Sequence, residues 1–296
     1  GTVLTPGMVC SFPKTAFISG ELGYNHENTF TAQAKDNEGN TAEDSAAETV
    51  EFTDVLPSVV ITKTAGIHTL PEPGGDFLFT LTIKNTSLEK ETIINLTDDY
   101  TLSSDCMNLI NRELNPNEEV SCTYVVSKTN AGVYDNTAVV NVKDNEGNTS
   151  SDSDSEQISV TNVNPSIEVT KTADKMSVPE TGEMVTFTFT VRNTSVETVE
   201  ITELIDSVFE TLSGDSDCQV GTVLAVGDTC SFNYSAFISG DYGQNHENIF
   251  TAVAKDDEGH ISVDTDDETV ILTDVRPDIS VTKTPNVDFI LESGGN

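Results

Sequence analysis

Val185-Thr186-Phe187-Thr188-Phe189-Thr190-Val191 alternates strictly between apolar and hydroxyl side chains. Successive side chains of a strand point to opposite faces. The pattern therefore predicts a strand with Val185, Phe187, Phe189 and Val191 in a core and the threonines facing out. Phe77, Phe79, Leu81 and Ile83 alternate in the same way and predict an equivalent strand. Outward from 185–191 lie a first strand at Ile167 and Val169, a turn at Asn193-Thr194-Ser195 and a strand over 199–205. Further strands are predicted at 230–238, 249–255 and 269–272, and no segment has a convincing helical period. Seven or so short strands in about 110 residues predict an all-β chain of immunoglobulin-like β-sandwich repeats.

The chain repeats itself. Lys35-Asp36-Asn37-Glu38-Gly39, Lys143-Asp144-Asn145-Glu146-Gly147 and Lys255-Asp256-Asp257-Glu258-Gly259 are each followed by a proline, Pro57, Pro165 and Pro277. Those prolines are 108 and 112 residues apart, and a new strand opens after each one. We read each junction as the end of one domain, a proline hinge and the start of the next. Residues 57–164 and 165–276 are expected to be complete domains in a linear array. Residues 1–56 match the C-terminal part of a copy, and 277–296 match the first strand of the next.

The formal net charge is −36 over 296 residues. That argues against nucleic acid, whose phosphates need a basic surface, and against contact of this segment with an anionic membrane. It suits divalent cations or a solvated surface. No apolar run is long enough to span a bilayer, and residue 1 does not begin a signal peptide. Cys106 and Cys122 bracket one turn, and Cys218 and Cys230 bracket the corresponding turn of the next copy. Their recurrence predicts two local disulfides in an oxidising, extracellular compartment. Cys10 matches Cys230, and its partner is expected before residue 1. No CxxC occurs, so thiolate metal sites are not expected.

Calcium takes about six to eight oxygen ligands, which carboxylates at alternate positions around a glycine turn can supply. The candidates are Asp36, Glu38 and Asp44; Asp144, Glu146, Asp152 and Asp154; Asp256, Glu258, Asp264 and Asp266; and the linker residues Asp54 and Asp274. Glu72, Glu180 and Glu292, in the first turn of the following copy, could close a site between domains. The competing reading is a set of Asp-x-Glu-Gly turns on a solvated face. Asn162 stands where the other linkers carry Asp54 and Asp274. Asn85, Asn95, Asn148, Asn193 and Asn233 lie in Asn-x-Ser/Thr sequons and are expected to be surface glycan acceptors. His26 and His246, at matching positions, are read as polar turn residues. No nucleophile travels with them, and no enzyme constellation is expected.

Val169-Thr170-Lys171-Thr172, Glu72-Pro73-Gly74-Gly75, the stretch Phe79 to Ser87 and Asp144-Asn145-Glu146-Gly147-Asn148 together resemble the tandem immunoglobulin-like repeats of large bacterial and archaeal surface proteins. The resemblance covers the whole chain and implies adhesins, stalks or surface fibres. The acidic proline junction is also similar to that of cadherin repeats, which implies calcium between domains. The expectation is a non-catalytic segment of an extracellular fibre or filament whose partners are copies of itself or adjacent repeats. The alternative is the stalk, or the ligand-binding repeats, of a cell-surface adhesin.

Overall fold

The alternating stretches form central strands. β5 (Gly75–Asn85) fully buries Phe77, Phe79, Leu81 and Ile83, and β13 (Glu183–Asn193) fully buries Val185, Phe187, Phe189 and Val191. The structure, a computed structural model, describes residues 1–294. Numbered in chain order, the first strands are β1 (Asn25–Lys35) and β2 (Thr41–Glu51), an isolated antiparallel ribbon. Then come β3 (Val59–Ala65), β4 (Thr69–Pro71), β5, β6 (Glu91–Asp98), β7 (Glu113–Leu114), β8 (Glu119–Lys128), β9 (Gly132–Lys143) and β10 (Thr149–Thr161). They make a three-stranded sheet, β3-β5-β8, and a five-stranded sheet, β4-β10-β9-β6-β7.

The next copy supplies β11 (Ile167–Ala173), β12 (Ser177–Pro179), β13, β14 (Val199–Asp206), β15 (Glu210–Thr211), β16 (Val223–Leu224), β17 (Thr229–Ile238), β18 (Asn245–Lys255) and β19 (Ile261–Thr273). Its sheets are β11-β13-β17 and β12-β19-β18-β14-β15, with β16 on β14. The strand order matches that of the preceding set with β16 in the place of β7, and β15 is an additional short strand. Side chains from both sheets, among them Val169, Phe189, Phe232, Ile201, Phe250 and Val270, fill one core, as a sandwich requires. The one helix among the described residues is α1 (Ser104–Met107), capped by the Ser103 side chain.

Two compact units divide these residues. One holds Gly1–His68, Asp76–Val126 and Tyr134–Ile158; the other holds Thr69–Gly75, Ser127–Val133 and the chain from Ser159 onward. The division thus passes through the copy at 57–164 and does not coincide with the prolines. Cys106 is bonded to Cys122 and Cys218 to Cys230, and Cys10 is an exposed free thiol. Among the described residues no helix is long and apolar enough to cross a membrane.

The ends depart from the expected pattern. Residues 277–294, which match a first strand, form none, and Ile279 and Val281 are more than four-fifths exposed, although their equivalents Ile167 and Val169 are buried. A β-strand needs a partner for its backbone groups and a facing sheet for its side chains. Gly295 and Asn296, the last residues of that expected strand segment, lie outside the described residues.

Candidate metal sites

Two groups of carboxylates converge, each within one compact unit. In the first, Asp54, Asp144 and Glu146 bring oxygen atoms within 4.8 Å of one another. The β9–β10 turn builds it. Asp144 Oδ1 accepts the backbone N–H groups of Gly147 and Asn148, which fixes the turn. Those donors outweigh the cost of burial and hold the carboxyl of Asp144 below its usual value. Asn148 Nδ2 then donates to both Asp144 Oδ2 and Asp54 Oδ2, at 2.9 Å each, and so ties the linker to the turn.

In the second group, Glu72, Glu197 and Glu258 converge in the same way. Glu72 is buried; it accepts the N–H of Ala131 on Oε1 and of Val163 on Oε2. Burial, a hydrogen bond with Asp257 and the charges of Glu72, Asp257 and Glu258 push the carboxyl of Glu197 up to about 7. Burial, Asp257 and Glu72 also raise Glu258. Asn162, the linker residue here, donates to Glu258 Oε2 at 3.3 Å and lies 3.0 Å from His260 Nδ1. An amide in place of Asp54's carboxylate cannot ligate through its nitrogen. It leaves the acidic pole to Glu72, Glu197 and Glu258.

In both groups the Lys-Asp-Asx-Glu-Gly turn meets the linker that precedes its own copy, Asp54 with 144–146 and Asn162 with 256–260. The expected direction, toward the linker that follows, is corrected, because the β9–β10 and β18–β19 turns lie at the ends of their strands nearest the incoming chain. Glu197 was not among the expected residues. Its signal was the match to Glu89, 108 residues earlier.

Other candidates have different work. Asp152 Oδ2 accepts the backbone N–H of Ile61 and Asp154 Oδ2 that of Lys63. In the next copy Ser262, Asp264, Asp266 and Glu268 accept from Ile167, Val169, Lys171 and Ala173. Acidic side chains on alternate positions of the last strand thus stitch the otherwise unpaired edge of the first, and they join neither carboxylate group. Asp256 caps its own turn through His260 N. Asp36, Glu38, Asp44 and Asp274 are exposed and join neither group, as does Glu292; Asp36 binds Asn40 and Asp44 the N–H of Ser45. Glu180 repeats the role of Glu72, accepting from Tyr242 N and Val275 N.

Two sequons are also corrected. Asn85 and Asn193 have no exposed surface. Asn85 Nδ2 donates to the carbonyls of Glu89 and Leu114, and Asn193 Nδ2 to those of Glu197, Leu224 and Ala225. No free amide is left for a glycan. Asn148 is committed to Asp54 and Asp144, Asn95 is half-buried, and Asn233 is exposed. His246 lies on strand β18, stacks with Phe209 and packs at a tilt against Phe187; it is not a polar turn residue.

No protein-family model and no curated protein matches the chain. Among solved structures, it is similar to a protein of unknown function from Porphyromonas gingivalis W83, at 11% identity over 72% of this chain and 99% of that one, with TM-score 0.28. It is also similar to Escherichia coli alpha-2-macroglobulin activated by porcine elastase (11% identity, 82% of this chain, 24% of that one, TM-score 0.24). A third is protocadherin gamma B2 extracellular cadherin domains 3-6 (12% identity, 83% of this chain, 57% of that one, TM-score 0.27). The functional reading rests on the residues themselves.

Proposed function

We propose that the chain is a non-catalytic structural segment of an extracellular surface fibre or filament, built from successive β-sandwich copies and stiffened at its linkers by calcium. The observation that carries this reading is the tie from linker to turn: Asp54 joined through Asn148 to Asp144 beside Glu146. Asp54 Oδ1 and Glu197 Oε1 are buried and meet no protein partner. Buried carboxylate oxygens in that state ask for a cation or a proton. A hard cation held by Asp54, Asp144 and Glu146, or by Glu72, Glu197 and Glu258, would cancel the repulsion within each group and hold linker to turn. The two disulfides fit an oxidising compartment, and the surface charge of −36 fits an exported, well-solvated chain.

Thermal unfolding with calcium and then with excess chelator tests the ion. Calcium is expected to raise the midpoint by several degrees, since a ligand bound only by the folded state stabilises it by mass action. Asp54→Ala should remove part of the gain. Superimposable curves in calcium and chelator would remove the ion from the proposal.

A further inference from the structure

Each copy buries the side chains of a lysine, an aspartate and an asparagine inside the sandwich, in direct contact in the later copy and linked through Tyr124 in the earlier one, and the acidic junctions do not involve them. In the later copy Lys171 Nζ lies 2.6 Å from Asp206 Oδ2 and 3.1 Å from the backbone oxygen of Asn248. Asn248 Nδ2 donates to Asp206 Oδ1 at 3.0 Å and Oδ2 at 3.1 Å. The amine and the side-chain amide therefore meet on one carboxylate. All three residues are at most 2% exposed. Phe187, Phe189 and Phe209 surround the amine, with ring centres 5.2–5.8 Å from Nζ.

The earlier copy holds the same three residue types, with Tyr124 interposed between the aspartate and the asparagine. Lys63 Nζ lies 2.6 Å from Asp98 Oδ2; Tyr124 donates its hydroxyl to the same oxygen, and Asn136 Nδ2 donates to that hydroxyl. In both copies the asparagine Oδ1 is buried and has no protein partner. A purely structural asparagine would satisfy that oxygen, and a buried ion pair adds little stability over apolar packing. The recurrence calls for another account.

We propose that Lys171 and Asn248, and likewise Lys63 and Asn136, are joined by intramolecular amide bonds formed autocatalytically after folding. In this step Lys171 Nζ attacks Cγ of Asn248. Asp206 takes a proton from Nζ and delivers it to Nδ2. The Nζ–Cγ bond forms, the Cγ–Nδ2 bond breaks, and one ammonia leaves. No oxidant or cofactor enters the balance. The environment suits each role. Burial lowers the affinity of Lys171 for its proton, against the pull of Asp206, and so eases transfer of that proton to the carboxylate. Burial works against ionisation of Asp206, but donors from Lys171, Val208 N, Phe209 N and Asn248 outweigh it and keep the carboxylate ready to accept. The aromatic walls exclude the water that would compete for the amide. Asp98 plays the same part for Lys63 and Asn136, with the Tyr124 hydroxyl passing the proton. Each bond would tie the first strand, β3 or β11, to β9 or β18 in the opposite sheet. This inference does not depend on calcium or on filament formation.

The test is the intact mass of the reduced, denatured full chain. The expected value is the sequence mass less two ammonias. Tryptic digestion should then give one branched peptide joining residues 171 and 248 and another joining 63 and 136. Asp206→Asn should abolish the first branch and leave the second, whose presence reports that the variant has folded. The unaltered chain is decisive even if the variant does not fold. The full sequence mass, with trypsin cutting after Lys171 and Lys63, would overturn the proposal. So would loss of water in place of ammonia, because the aspartate would then be the acyl partner.

Discussion

Glu197 shows how one side chain couples a junction to pH. Its carboxyl is pushed up to about 7, against an ordinary value of 4.5, first by burial and then by Asp257, Glu72 and Glu258. A raised acid holds its proton in the folded chain where the unfolded chain has lost it. Stability is therefore full below about pH 4.5 and falls as pH rises toward 7. In calcium-free buffer, urea unfolding between pH 4.5 and 7 should show this decline, and Glu197→Gln should flatten it. An unchanged slope in the variant would count against the assignment. Part of this scale was legible in sequence. The alternation that predicts Phe77 to Ile83 inward, continued one step, also places Asn85 inward. The step from Ile61 to Lys63 does the same for the lysine. An Asn-x-Ser sequon and a lysine nonetheless carry polar groups that ordinarily stay in water. What reverses that expectation lies far away in sequence: Leu114 O for Asn85 and Asp98 for Lys63.

At the scale of elements, the acidic runs of β10 and β19 are an adhesive between sheets. Asp264, Asp266 and Glu268 sit on alternate positions of β19 and accept from alternate residues of β11, so a two-residue period in carboxylates matches a two-residue period in free N–H groups. A hydrogen bond to a charged acceptor contributes about 1.5–3 kcal/mol. Replacing both Asp264 and Asp266 with alanine should speed amide exchange at Val169 and Lys171 by about 10- to 100-fold, with little change at Phe189. Equal exchange in both proteins would show that the edge holds without its carboxylates. The strands themselves were plain in the sequence, since hydrophobic alternation and glycine turns set them locally. The role of the acids was not, because an aspartate pointing at solvent and one pointing at a neighbouring strand edge look the same until the first strand is placed beside the last.

For the whole molecule, the alternating strands announced an all-β sandwich fold, and the sheets β3-β5-β8 and β11-β13-β17 follow the same order. Sequence placed the acidic turn at a junction but assigned it to the wrong neighbour, because the end of a hairpin that a turn occupies follows from sheet topology and not from chain order. The functional account rests on successive copies whose linkers are tied to turns. Its most direct test is electron microscopy of the protein taken from the cells that produce it, with calcium present. The account predicts uniform filaments with a repeating bead. Single rods that end in a distinct head would favour an adhesin stalk, and isolated compact particles with no association would contradict the account.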